Sequence, residues 1–291
     1  MRKIFKLFRV RHWIKNKFIF APLIFSGHLF SRQQFLASLF SYAGFCLVTS
    51  GIYILNDFLD RHGDLLHPKK AQRFPAYHEL DRKLVIAIVS VTMIAGFVIC
   101  AAVNRQVVAM ALVYAAVNLI YNFFTKNVVM LDVVSVALGF LIRIWMGAFA
   151  IRIHPSLWLQ ICVFLLALFL GFSKRKQELS LLGEKARRHR PVLGKYTVGL
   201  LNRLIIVCAV MTVFFYFLYT VSYETVTRLG SHAMFYSGIF VVSGLCRYFY
   251  LVHIKRLEAE PGELIFEDKI FMANIFLWVG YVIFVLYTQT R

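Results

Sequence analysis

Apolar stretches of bilayer length alternate with polar joints along the whole chain. Nine apolar segments can be marked, over residues 16–31, 34–57, 83–103, 107–124, 129–151, 157–173, 199–221, 231–252 and 268–289. A hydrocarbon core of about 30 Å takes roughly 20 helical residues to cross. The pattern therefore predicts an all-α polytopic membrane protein, a single bundle of about nine transmembrane helices over residues 1–291, with no soluble domain of useful size. The first segment is short and carries Pro22, which predicts a tilted or kinked span. The joints near 31–34, 103–107, 151–157 and 221–231 are short, whereas 58–82 and 174–198 are long, charged and on one side of the bundle. Connections of that length are usually functional or disordered.

Composition supports this picture: 60% of residues are hydrophobic and only 16% are charged. The net charge of +19 would suit nucleic acid if it were spread over a soluble surface. Instead, 27 of the 33 Lys and Arg fall in 1–17, 58–83, 126, 174–203 and 247–269. Alternate joints and the C-terminus hold only Arg32, Arg105, Arg152, Arg228 and Arg291, and Arg143 lies inside an apolar run. This is the positive-inside pattern. It places the N-terminus and the long loops in the cytosol and, after nine spans, the C-terminus outside. Anionic lipid headgroups and anionic substrates are the expected partners, and no nucleic acid is. The five cysteines all sit in apolar runs without metal-ligand spacing, as small buried hydrophobes do. The opening MRKIFKLFRVRHWIKNK lacks a small-residue cleavage site and reads as a retained interfacial segment.

Against this background the stretch NDFLDRHGD, residues 56–64, stands out at the end of the second apolar segment. On a helix Asp57, Asp60 and Asp64 share one face, and Asn56 extends it. Clustered carboxylates repel unless cations neutralise them, and oxygen ligands of this kind suit Mg²⁺, which bridges carboxylates to substrate phosphates. The competing reading is a solvated helix end. His67, Lys69, Lys70 and Arg73 follow at once, so an anion would be held by metal on one side and by cations on the other.

Two further clusters share that side. Tyr121 and Lys126 precede the fifth segment, along which Asp132, Ser135, Gly139 and Arg143 fall on one stripe. Ionisable residues within a membrane default to a functional cavity; Arg143 has the alternative of snorkelling or bracing the bundle. In GFSKRKQEL, residues 171–179, Lys174 and Glu178 have i,i+4 spacing, and Lys174 and Arg175 are phosphate-gripping candidates. Arg247 and Tyr248 close the eighth segment, and Glu263 and Asp268 lie in the last inner loop.

Together these motifs resemble the UbiA superfamily of intramembrane prenyltransferases, and more narrowly its decaprenyl-phosphate phosphoribosyltransferase branch. The carrying residues are RHWIKN at 11–16, NDFLDRHGDLLHPKK at 56–70, the YNFFTKNVVMLDV run, GFLIRIWMGA at 139–148, SKRKQEL at 173–179, CRYFYL and the PGE…D pattern ending at Asp268. Leu65 stands where the branch has Arg, Arg73 is followed by FPAYH, and Asn122 and Thr125 replace Ser and Leu in the second motif. The resemblance implies a cytosol-facing cavity in which Mg²⁺, held by Asn56, Asp57, Asp60 and Asp64, binds the diphosphate of phosphoribosyl diphosphate. Asp132 and Lys126 would face it from the opposite wall. The acceptor would be a polyprenyl phosphate with its tail in an apolar groove. Lys15, Asn56, Lys70, Arg73, Tyr121, Arg143, Lys174, Arg175, Glu178 and Arg247 would complete the substrate site. The setting would be a bacterial inner membrane, and the product a lipid-linked phosphoribose for cell-envelope glycan synthesis. Two other readings stay open: a UbiA-type transfer of a polyprenyl group to an aromatic acceptor, and a transporter or scaffold without catalysis. Oligomeric state is not legible.

Overall fold

The computed structural model describes residues 7–59, 81–183, 186, 191–255 and 264–288. Among them there is no strand. The chain enters through a 3-10 helix, Val10–Phe20, that runs into a five-residue helix α1 (Ala21–Phe25). Then follow α2 (Arg32–Leu59), α3 (Arg82–Val103), α4 (Arg105–Phe123), α5 (Leu131–Ala150), α6 (Leu157–Leu182) and α7 (Val198–Val221). A short α8 (Tyr223–Leu229) precedes α9 (Gly238–Phe249), and α10 (Leu264–Glu267) precedes α11 (Lys269–Thr288). Eight described helices, counting α9 with its flanking turns over Ala233–Val252, are long and apolar enough to cross a membrane. The protein is an integral membrane protein.

The first expected span differs from a regular helix. It begins at Val10 rather than 16 and is mostly 3-10, since Val10, Trp13, Ile14, Phe18, Ile19 and Phe20 crowd it with β-branched and aromatic residues. With about 2.0 Å rise per residue in 3-10 and 1.5 Å in α geometry, Val10–Phe25 still extends roughly 30 Å. It reaches from Asp57, where Arg9 pairs, to the far end of the bundle, where Phe25 meets Tyr219 and Trp278. This segment stands in the place of the first expected span in another form.

α2 and α5 are the inner helices, each with 56% of its apolar window buried, against 17% for α11. On α3, Val91, Ile94 and Val98 stay exposed at helical spacing, the stripe a lipid-facing helix presents. The inner contacts are close because glycine allows it. A Cβ on Gly96 would lie 2.7 Å from the Gly44 carbonyl oxygen, so α2 and α3 touch backbone to backbone. A Cβ on Gly147 would lie 2.0 Å from the Ile19 carbonyl oxygen, which seats the 3-10 helix against α5.

The expected loop 174–198 also changes. α6 continues through KRKQELSLL to Leu182, and a 3-10 turn, Pro191–Lys195, follows. Lys, Arg, Gln, Glu and Leu are strong helix formers, and Leu182 packs with Ala186 and Leu193 below the bundle. Lys174, Arg175 and Glu178 are helix-borne. Of the expected loop 58–82, residues 60–80 lie outside the described residues, and with them Asp60, Asp64, Lys70 and Arg73; Glu263 does as well.

Candidate active site

The C-terminal ends of α2, α4 and α6 and the N-terminal end of α5 converge with the start of the 3-10 helix. A run of neighbours links them. At the end of α2, Asp57 is 6% exposed, and the Arg9 guanidinium grips it through both oxygens, with Nε donating to Oδ2 at 2.8 Å. Beside it Asn56 accepts a hydrogen bond from the Asn122 amide of α4. Tyr121, the residue before, is within electrostatic range of Arg175 on α6. Arg175 in turn pairs with Asp132 on α5 at 2.9 Å and with Glu178.

Asp132 has no exposure at all. Its Oδ2 faces Arg175, and its Oδ1 accepts from the Tyr196 hydroxyl at 2.7 Å. The same hydroxyl accepts from the Met130 amide at 2.8 Å, holding a residue whose φ of +70° an L side chain rarely adopts. Burial and the adjacent Asp132 carboxylate push the Tyr196 phenol up, so it stays protonated and donates. The Asp132 carboxylate is thus enclosed, and the Arg175 guanidinium pairs with both Asp132 and Glu178. Glu178 takes its ion pair from Arg175 at i,i+3.

Arg143 is 3% exposed and lies deeper, in the cluster of Phe45, Tyr114 and Ile142. Its Nε donates to Asn16 Oδ1 at 2.9 Å, one terminal nitrogen to the Gly139 carbonyl and the other to the Tyr114 hydroxyl. Rings of Phe45, Tyr114 and Phe140 flank the guanidinium at 4.9–5.4 Å. Every nitrogen is used by the bundle, so the stripe expected along α5 divides: Asp132 ties its end to α6, and Arg143 braces its middle. Arg247 pairs with Asp268 at 2.7 Å, and Asp268 also accepts the Phe271 amide at the start of α11. That guanidinium holds the Asp268 carboxyl below its ordinary 3.8.

The half-buried cations Lys15, Lys126 and Lys174 complete this end of the molecule. Three residues per turn stack His12 and Lys15 on one edge of the 3-10 helix, and Arg9 precedes its first residue. Arg9 and His12 both lie against the Tyr53 ring of α2, at 5.2 and 5.7 Å. Sequence reasoning missed Arg9 and Tyr196 as partners of the two aspartates. Arg9 stood in a basic stretch whose charge alone suggested lipid, and a pairing across 48 residues leaves no periodic signal.

The donors at the end of α2 are a carboxylate and a carboxamide oxygen, the hard oxygen set that Mg²⁺ prefers. They fit that ion in kind. Among the described residues no three of His, Cys, Asp and Glu gather into a metal cluster. Asp60 and Asp64 are the expected companions.

Comparison with known proteins agrees with this architecture. Residues 19–275 match the UbiA prenyltransferase family. The chain belongs to that family. Two relatives of this UbiA protein are decaprenyl-phosphate phosphoribosyltransferases. That of Mycolicibacterium smegmatis is 28% identical over 286 residues, covering 95% of this chain and 90% of the relative. That of Corynebacterium glutamicum is 24% identical, covering 97% and 86%. A UbiA homolog from Archaeoglobus fulgidus bound to GPP and Mg²⁺ shares the fold, with a TM-score of 0.67 at 17% identity over 98% of this chain and 99% of that one. The protein is a membrane-embedded UbiA-family enzyme.

Proposed function

We propose that this enzyme transfers a 5-phosphoribosyl group from phosphoribosyl diphosphate to a polyprenyl phosphate and releases diphosphate. The observation that carries the proposal is the meeting of the Asn56–Asp57 helix end with Arg9, with Arg9 and His12 both against Tyr53 one turn earlier; Lys15, Lys126 and Lys174 are further half-buried cations. A sugar phosphate, its diphosphate and a lipid phosphate bring more negative charge than one prenyl diphosphate, and so need more cations. The names of these two relatives favour transfer of a phosphoribosyl group to a polyprenyl phosphate.

Asn56 and Asp57, with Asp60 and Asp64, would hold Mg²⁺. When bound, that ion neutralises charge on the departing diphosphate. Lys126 and Lys174 would bind the donor's 5-phosphate or the lipid phosphate, and Lys15 would meet the diphosphate. A phosphate monoester is mostly ionised at neutral pH, so the acceptor needs no protein base. The chain's contribution is to align that oxygen with the ribose C1 and to stabilise charge as the C1–O bond breaks. Asp132, Arg175, Glu178 and Tyr196 tie the ends of α5 and α6 together. The isoprenoid tail would lie in apolar grooves of the bundle. The site and N-terminus would face the cytosol of a bacterial inner membrane, with the C-terminus outside.

Purified enzyme with Mg²⁺, labelled phosphoribosyl diphosphate and polyprenyl phosphate should yield a labelled lipid. Prenylation of an aromatic acid, with no labelled lipid, would replace this reading by the prenyltransferase one.

A further inference from the structure

The Arg9–Asp57 pair occupies a proposed metal ligand with a protein cation. Asp57 is nearly buried, and a carboxylate there without a counter-charge would be strongly destabilising. Arg9 supplies that charge from outside the spanning helices. Its own backbone is left-handed, with φ +47° and ψ +44°, a conformation that L side chains rarely adopt. The surroundings hold this conformation in place. The Phe8 carbonyl accepts from Ser50 at 2.8 Å, and the Trp13 indole donates to the same Ser50 at 3.0 Å, so the main chain before Arg9 and a side chain after it are both anchored to α2. The Arg9 guanidinium reaches Asp57 from this clamped segment, and 16% of the side chain stays exposed. The Tyr53 ring, 5.2 Å from the guanidinium, gives it a second surface to lie on.

We propose that Arg9 is the resting counter-ion of Asp57 and that it exchanges this carboxylate for the diphosphate of the incoming donor. The inference deepens the proposed reaction and rests on the metal assignment at Asp57. Charge stays paired throughout. In the resting enzyme the guanidinium neutralises the carboxylate. In the loaded enzyme a divalent cation takes the carboxylate, and the guanidinium moves to the phosphoryl oxygens that the cation accompanies. No covalent bond changes. Free metal must displace Arg9 without offering it a new anion, whereas metal arriving with diphosphate offers one. The site is thereby biased toward the metal–diphosphate complex over the metal alone.

Mn²⁺ binding to the full-length protein in detergent, followed by paramagnetic resonance with and without inorganic diphosphate, tests this. In the wild type, diphosphate should tighten Mn²⁺ about tenfold or more, within the usual range of coupling between sites. Arg9→Gln should bind Mn²⁺ alone about tenfold tighter than wild type, and diphosphate should then add little. Arg9→Lys, a point charge without the guanidinium fork, should fall between the two, and it decides the matter if Arg9→Gln does not fold. A folded Arg9 variant with wild-type Mn²⁺ affinity and wild-type coupling overturns the exchange. Absence of Mn²⁺ binding in every protein overturns the metal assignment and the exchange with it. Intact coupling in an enzyme that does not use phosphoribosyl diphosphate would support the exchange and refute only the choice of donor.

Discussion

Asp57 and Asp132 each bind an arginine at the same end of the bundle, yet the two pairs are built differently. Arg175 and Asp132 join two spanning helices, are closed to solvent, and share Tyr196 and Glu178 as further partners. Arg9 comes from a segment ahead of the first crossing, keeps 16% of its side chain exposed, and pairs with an aspartate at a helix end. The first pair has the enclosure of a permanent tie. The second has the access that an exchangeable site requires. Charge type alone does not tell a ligand from a brace; what decides is how many other groups each partner already satisfies.

The comparison can be broken in order of expected effect. Arg175→Gln leaves the Asp132 carboxylate buried without its cation and should cost about 3–5 kcal/mol in unfolding measured in detergent. The apolar pair Asp132→Leu with Arg175→Met should restore most of that loss. A single variant as stable as wild type would remove the distinction drawn here. Asp57→Asn should lower turnover by about 10²–10³-fold or more, the scale of losing a charge-stabilising group, in protein that still inserts and elutes as wild type. Retained turnover would take Asp57 out of the metal site. Asn16→Ala strips the acceptor from Arg143 Nε and should cost about 1–3 kcal/mol, read by the same unfolding assay. No change would mean that Arg143 finds its partners elsewhere.

The smallest effect concerns Arg247 and Asp268. Because the folded carboxyl sits below its ordinary 3.8, the stability it contributes is complete above that value and is lost as pH falls through the shifted one. Wild type and Asp268→Asn should therefore differ by a constant amount from pH 7 to 5, and the difference should shrink at more acid pH. A difference that grows on acidification would reverse the sign of the assignment.

Much of the fold was legible because lipid enforces a simple pattern. The segments expected at 83–103, 107–124 and 199–221 lie within two residues of α3, α4 and α7 at every boundary. The helical continuation of α6 was hidden because counting charges in KRKQEL marks a membrane face but does not weigh helix propensity. The acids and cations of the candidate site were visible as residue types in clusters. Their pairings were not, because Arg9 reaches Asp57 and Tyr196 reaches Asp132 through tertiary packing that no local spacing encodes. The stripe from Asp132 to Arg143 shows the opposite failure: shared helical phase was real, but neighbours on α4, α6 and the 3-10 helix gave the two ends different work.

The seating of Ile19 on Gly147 has a consequence for how this chain can vary in length. Between that contact and Arg9 the backbone is a ruler. One residue inserted or deleted there would rotate Arg9 and the His12 and Lys15 edge by about 120° and slide them by about 2 Å, away from Tyr53 and Asp57. Insertions ahead of Leu7, or in the turn between α1 and α2, leave that ruler untouched. A family alignment should therefore show length variation on both flanks of residues 9–19 and none within them.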